Sequence, residues 1–216
     1  MEEQLKETCG LRLLYTCSPI ELEGQAQVGG FRYRLGRLLG DQVSTQLKDQ
    51  LDYVVPIPNS GLYYAMGAAE SLNIPYLQAL VKRDGRQRTL WEPDQQMRER
   101  MILDNMMLLP GLLEGRRIAL VDEAIFTGTT LRTVCHQLKR QGVANIHILI
   151  PTAPCASPCP YECLPQRDLL AQRMTLPEMK VYFGATGLTF LPYTDLCQFT
   201  DGFQRVCLSC FQQPQS

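Results

Sequence analysis

Long apolar runs are missing from this 216-residue chain, and none could cross a bilayer as a helix. The opening residues, Met1-Glu2-Glu3-Gln4-Leu5-Lys6-Glu7, lack the basic start and apolar stretch of a signal peptide. Net charge is missing too. With 21 Lys and Arg against 22 Asp and Glu, the formal charge is −1, so neither nucleic acid nor a membrane surface is expected as a partner. Histidine is scarce, with two in the chain, and His147 alternates with core residues in 145–150 as a structural histidine does, rather than standing as a general base. A cytoplasmic location is expected. What the chain does hold is 45% hydrophobic residues, enough for the core of one globular domain with a small appendage. It also holds nine cysteines, at 9, 17, 135, 155, 159, 163, 197, 207 and 210. A reducing compartment argues against a disulfide framework, which leaves metal or cluster ligation as the leading alternative to scattered buried thiols.

The most informative stretch is 118–130, Ile-Ala-Leu-Val-Asp-Glu-Ala-Ile-Phe-Thr-Gly-Thr-Thr. Its four apolar residues predict a short buried strand, Asp122 and Glu123 close it, and a small-residue turn opens an amphipathic helix over 131–143. Unpaired amides at a helix N-terminus attract a phosphate, and neighbouring carboxylates accept hydrogen bonds from vicinal hydroxyls or hold a hydrated divalent cation. A sugar phosphate would satisfy both halves. An ordinary strand-to-helix junction capped by threonines is the plainer alternative.

Apolar positions at helical spacing from Phe31 to Leu51 predict a core-facing helix. A strand over 52–58 then enters the turn Asn59-Ser60-Gly61, followed by an Ala/Gly-rich helix to Leu72 and a strand over 74–81. Residues 82–89, Lys-Arg-Asp-Gly-Arg-Gln-Arg-Thr, form a basic, apolar-poor loop, for which a solvated surface loop is the ordinary reading. Strands alternating with helices imply an α/β fold with a mostly parallel sheet, helices on both faces, and a ligand at the carboxyl ends of the strands.

Residues 118–130 resemble the phosphoribosylpyrophosphate (PRPP) motif of type I phosphoribosyltransferases, and nearly the whole chain is similar to the phosphoribosyltransferase half of the glutamine PRPP amidotransferases. Glu123, Ala124 and Thr127 depart from the amidotransferase pattern, in which a second Asp, a Ser and an Arg stand. The resemblance implies PRPP bound by Ser60, Gly61, Asp122, Glu123, Ala124, Thr127, Gly128, Thr129 and Thr130, with Ser60, Asp122 and Glu123 in the shell of Mg²⁺. It implies a lid carrying Lys82 and Arg88, with Asp84 where the family has Arg and Asn59 where its pyrophosphate loop has Asp. Catalytic roles fall to Lys82, Arg88, Asp122 and Glu123. The chain opens at the family's inter-domain linker, so residues 1–30 are expected as linker, 31–165 as the phosphoribosyltransferase core and 166–216 as a C-terminal extension.

The resemblance also implies a metal centre. Cys9, Cys159, Cys207 and Cys210 stand where some amidotransferases hold a four-iron four-sulfur (4Fe–4S) cluster, which would join the two chain ends; zinc and unligated thiols are the lesser alternatives. Cys135, on the helix after the phosphate loop, is expected to be an inert core thiol. The expected reaction is displacement of pyrophosphate from C1 of PRPP by ammonia or another nitrogen nucleophile, without glutamine hydrolysis unless a separate glutaminase chain supplies it. A homo-oligomer is expected. A non-catalytic PRPP-binding regulator and an iron–sulfur redox sensor are the rival functions.

Overall fold

Residues 8–23, 26–83, 92, 94–159, 168–200 and 206–212 are described by the computed structural model. In chain order, β1 (Thr8–Cys9) leads through a π-helical turn at Arg12–Thr16 to the antiparallel pair β2 (Leu22–Glu23) and β3 (Ala26–Gln27), then α1 (Val28–Leu47). There follow β4 (Tyr53–Pro56), α2 (Leu62–Leu72), β5 (Leu80–Lys82), α3 (Gln95–Asn105) and β6 (Met106–Leu108). The second half comprises β7 (Arg117–Val121), α4 (Thr129–Arg140), β8 (Asn145–Ile150), α5 (Leu176–Phe183), β9 (Gly187–Phe190), α6 (Tyr193–Thr200) and β10 (Val206–Cys207).

The central sheet runs β4-β7-β8-β9, and every neighbouring pair is parallel, as the alternation of elements predicts. Its strands are continuously apolar because they are covered on both sides. Val54, Ala119, Val121 and Leu149 face a layer containing α1 and α2, whereas Val55, Ile118, Leu120 and Ile148 face a layer containing α4 and α5. The chain thus leaves β4 toward one face and β7 toward the other, which opens a crevice between their carboxyl ends.

α1 and α2 cross closely because glycines remove the side chains between them. A Cβ on Gly36 would stand 2.1 Å from the Tyr64 carbonyl oxygen, and one on Gly67 would stand 2.0 Å from that of Tyr33. At the amino ends of the central strands, Asp52 accepts from the Arg117 backbone N–H and from its guanidinium, both at 2.8 Å, tying β4 to β7. That guanidinium holds the Asp52 carboxyl below its usual range.

Several expected boundaries move. The helix expected over 31–51 starts at Val28 and ends at Leu47, giving way to a 3₁₀ turn. The strand expected over 74–81 shrinks to Leu80–Lys82, because Pro75 has no N–H for a ladder and the stretch meets β4 by one bridge, Tyr76 to Val54. The helix expected over 131–143 spans Thr129–Arg140, ended by Gly142 at φ +79°. Residues 187–190, within the expected C-terminal extension, form the fourth strand of the sheet. The two ends of the described chain meet through backbone pairing, with Cys9 opposite Cys207 across the parallel pair β1/β10. The joining of these ends by a metal cluster is not seen: among the described residues, no three His, Cys, Asp or Glu side chains group tightly enough to hold a metal ion.

His147 is a packing residue, as its alternation predicts. Its Nε2 lies 2.9 Å from Thr189 Oγ1, and its ring fills the space beside Gly187, where a Cβ would lie 2.1 Å from Nδ1. Burial pushes its pKa down to about 4. Folding therefore keeps the ring neutral while an unfolded chain protonates it near pH 6.5, so this residue's contribution to stability is complete above that pH and falls away between about 6.5 and 4. At 1.36 kcal/mol per pKa unit the loss is at most about 3 kcal/mol. In urea unfolding at pH 7, 5.5 and 4.5, His147→Gln is expected to lose less stability on acidification than the parent.

Candidate functional site

β7 ends at Val121, and the next two residues put carboxylates at the mouth of the crevice. Asp122 and Glu123 are only 5% and 6% exposed. They share a side-chain hydrogen bond, and the Glu123 backbone N–H donates to Asp122 Oδ1 at 3.1 Å. Burial and the adjacent Glu123 charge push the Asp122 carboxyl well above its usual range, against a lowering hydrogen bond from Ser60. Glu123 Oε2 is buried with no hydrogen-bond partner. Two acids held this way out of water favour whatever brings positive charge or hydrogen-bond donors.

The carboxylates line a cavity of about 440 Å³ together with Ser60, Lys82, Asn105 and Thr130. The turn over 57–61 forms one wall. Ile57 N–H donates to Val121 O at 2.8 Å and Gly61 N–H to Ile57 O at 2.9 Å. The Pro58–Asn59 peptide is cis. A Cβ on Gly61 would lie 2.5 Å from Val121 O, so glycine is required for the turn to sit against the end of β7. The opposite wall is the stretch 15–19, clamped by a buried arginine on α1. Arg32 Nε donates to Leu13 O at 2.8 Å and Nη2 to Cys17 O at 2.9 Å.

Beyond the acidic pair, Ala124, Ile125 and Phe126 are buried and anchor the loop, Gly128 turns at φ +76°, and α4 begins at Thr129 without a side-chain cap. The amides of its first turn thus face a small cavity of about 60 Å³ lined by Arg98 and residues 122–131. Thr127 Oγ1 lies 3.1 Å from Thr129 Oγ1, which lies 3.2 Å from Gln95 Oε1, and Arg98 donates to that same Gln95 oxygen. Anion-seeking amides thus adjoin cation-seeking carboxylates, the bipolar pattern expected from the sequence.

Of the residues singled out by sequence, Ser60, Lys82, Asp122, Glu123 and Thr130 converge on the larger cavity, and Ala124, Thr127, Gly128 and Thr129 line the smaller one. Gly61 shapes the 57–61 turn without lining either. Arg88 and Asp84 lie outside the described residues. Sequence reasoning passed over Arg32 and Asn105. Arg32 had a legible signal, a cation on the apolar stripe with Leu35 and Leu39, while Asn105 had none.

Cys155, Cys159 and Cys210 are buried together near Cys9. Burial and then Cys159 push the Cys210 thiol up, and burial lifts Cys155 to about 12. Cys207 turns its sulfur to Ser209 Oγ at 3.4 Å and lies near Tyr193. Cys163 lies outside the described residues. Cys135 is buried in the core with its pKa lifted to about 12 by burial, an unreactive environment.

Residues 32–159 match the family described as phosphoribosyl transferase domain. The chain belongs to that family. Amidophosphoribosyltransferase of Bacillus subtilis is 29% identical over 213 residues, covering 95% of this chain and 44% of the relative. That of Synechococcus elongatus is 30% identical, covering 94% and 41%. The solved glutamine PRPP amidotransferase of B. subtilis, in complex with ADP and GMP, superposes with a TM-score of 0.80 at 28% identity, over 98% of this chain and 48% of that one. An enzyme described as the allosteric regulatory enzyme of purine biosynthesis superposes with a TM-score of 0.82 at 27% identity, over 100% and 48%. The chain therefore has the fold of the phosphoribosyltransferase part of these enzymes and spans less than half of their length. The family match takes in the 57–61 turn, Lys82 and the whole of 122–130, whereas Cys9, Cys207 and Cys210 fall outside it. Among the described residues no helix is long and apolar enough to cross a membrane.

Asp122→Asn removes one of two adjacent buried acids. It is expected to raise the melting temperature of the unliganded protein by roughly 3–10 °C, about 1–3 kcal/mol. Because the folded-state pKa of Asp122 is raised, its contribution is complete below the unfolded value and is lost as pH rises through the folded one. The gain of the variant should therefore be larger at pH 8 than at pH 5.

Proposed function

We propose that the chain binds PRPP with Mg²⁺ and transfers its phosphoribosyl group to a nitrogen nucleophile, releasing pyrophosphate. The observation that carries this is the side-by-side placement of the buried acidic pair and the uncapped start of α4, one suited to ribose hydroxyls and a cation, the other to a 5′-phosphate. In this reading Asp122 and Glu123 take the ribose hydroxyls, residues 124–130 take the phosphate, and Ser60 and Gly61 meet the pyrophosphate. Lys82 neutralises the leaving group, a role it shares with Arg88 in the family resemblance. C1 gains oxocarbenium character as the bond to pyrophosphate lengthens, so positioning and charge stabilisation outweigh the need for a strong base. Ammonia is the nucleophile favoured by the similarity to amidophosphoribosyltransferases, whether free or delivered by a glutaminase chain.

The residues fit Mg²⁺. Glu123 Oε2 is buried without a partner beside Asp122 and Ser60, a set of hard oxygen donors that would hold a hydrated cation. When bound, it would neutralise pyrophosphate charge. Soft thiolates are the ligands a 4Fe–4S cluster would take: Cys9, Cys159 and Cys210 share one neighbourhood with Cys155, and Cys207 lies across from Cys9 on β10. Held there, the cluster would have a structural or oxygen-sensing part, since the transfer chemistry needs no redox centre.

Pyrophosphate release measured with PRPP, Mg²⁺ and ammonium tests the transferase reading. Turnover is expected, and Lys82→Gln should lower kcat/KM by about 10²-fold. PRPP affinity with zero turnover would instead assign a non-catalytic PRPP-binding protein, and no PRPP affinity would end both readings. Protein purified without oxygen is expected to be brown with about four irons per chain; colourless, iron-free protein would sink the cluster.

A further inference from the structure

One more residue lining the larger cavity carries a buried polar atom without a hydrogen-bond partner. Asn105 ends α3 at 5% exposure. Its backbone carbonyl accepts from Arg83 N–H at 2.8 Å, but its side-chain Oδ1 has no hydrogen-bond partner. It lines the same cavity as Glu123, whose Oε2 is in the same condition. A buried amide oxygen left unpaired costs stability, and its wall neighbours Ile102 and Met106 have no side-chain donor to offer.

Both orphans are acceptors, so the group that satisfies them must bring donors. Phosphate and pyrophosphate oxygens are themselves acceptors and would be repelled by Oδ1. Ribose hydroxyls are donors, but the Asp122/Glu123 pair takes those. Waters held by a divalent cation are donors polarised by its charge, and Mg²⁺ keeps several of them while binding protein through one or two carboxylates.

We infer that Asn105 Oδ1 accepts a hydrogen bond from a water of the Mg²⁺ ion held on the Asp122/Glu123 side, positioning the hydrated cation against the pyrophosphate. This rests on the PRPP and Mg²⁺ reading given above. Asn105 is then a positioning residue, acting through a metal-bound water.

Calorimetric titration of PRPP across a series of Mg²⁺ concentrations, with no nucleophile present, tests it on the parent chain and on Asn105→Ala, Asn105→Leu and Asn105→Asp. The Ala and Leu variants are expected to need about tenfold more Mg²⁺ for half-maximal PRPP affinity, roughly one lost hydrogen bond to a charged group. Binding of ribose 5-phosphate without metal should stay within about twofold of the parent, as that ligand carries no pyrophosphate–Mg²⁺ unit. Asn105→Asp keeps the acceptor and should need no more Mg²⁺ than the parent. Unliganded Asn105→Leu should melt no lower than the parent, because it removes an unsatisfied carbonyl.

Unchanged Mg²⁺ dependence in Ala and Leu would overturn the inference. So would an Asp variant as poor as Ala, or a Leu variant whose unliganded form melts several degrees lower. If the parent chain binds PRPP with Mg²⁺ dependence and the variants match it, only the assignment to Asn105 falls. If the parent binds neither PRPP nor ribose 5-phosphate, the functional reading itself falls.

Discussion

Two adjacent carboxylates held out of water at the end of one strand are the constraint to which the rest of this structure answers. Asp122 and Glu123 cost stability through lost hydration and the closeness of two acids. The core around them has to absorb that cost. It does so with a central sheet apolar on both faces, and with β7 flanked by β4 and β8 in parallel register, so that the backbone carrying the pair cannot yield. Strain of this kind, concentrated where a ligand would relieve it, is the ordinary trade of stability for function.

Two distant pieces of chain complete the cavity around the acids. The 57–61 turn is pressed onto the end of β7 by a glycine and a backbone hydrogen bond. The stretch 15–19 is brought opposite by Arg32, whose guanidinium satisfies two carbonyls of the turn before α1. Tyr64, on α2, adds a third tie by donating to Leu14 O at 2.8 Å. A buried arginine spent on carbonyls rather than on an acid acts as a fastener. Sequence departures from the amidotransferase pattern leave this arrangement intact. Glu123 keeps a second acid beside Asp122, and Thr127 places a hydroxyl where the pattern has Arg.

Much of the fold was legible because it is local. The apolar run 118–121 followed by two acids and a small-residue turn can only be a buried strand opening onto a helix, and the 3.6-residue stripe from Phe31 onward can only be a core-facing helix. Boundaries were less legible, as in 74–79, where a proline and a single bridge replace a ladder. The pairing of β1 with β10 was invisible, since two-residue strands nearly two hundred positions apart carry no periodicity.

By itself, then, the sequence determined the chemistry available: which residues are acidic, which loop offers amides to a phosphate, and which strands are buried on both faces. Those properties follow from residue type and short-range spacing. Tertiary structure alone decided which polar atoms are left without partners, that Asn105 shares a cavity with Glu123, and that Cys155 rather than Cys207 lies beside Cys159 and Cys210. Whether a buried acceptor is satisfied depends on every group within hydrogen-bond reach, and those groups come from segments that only the folded chain brings together.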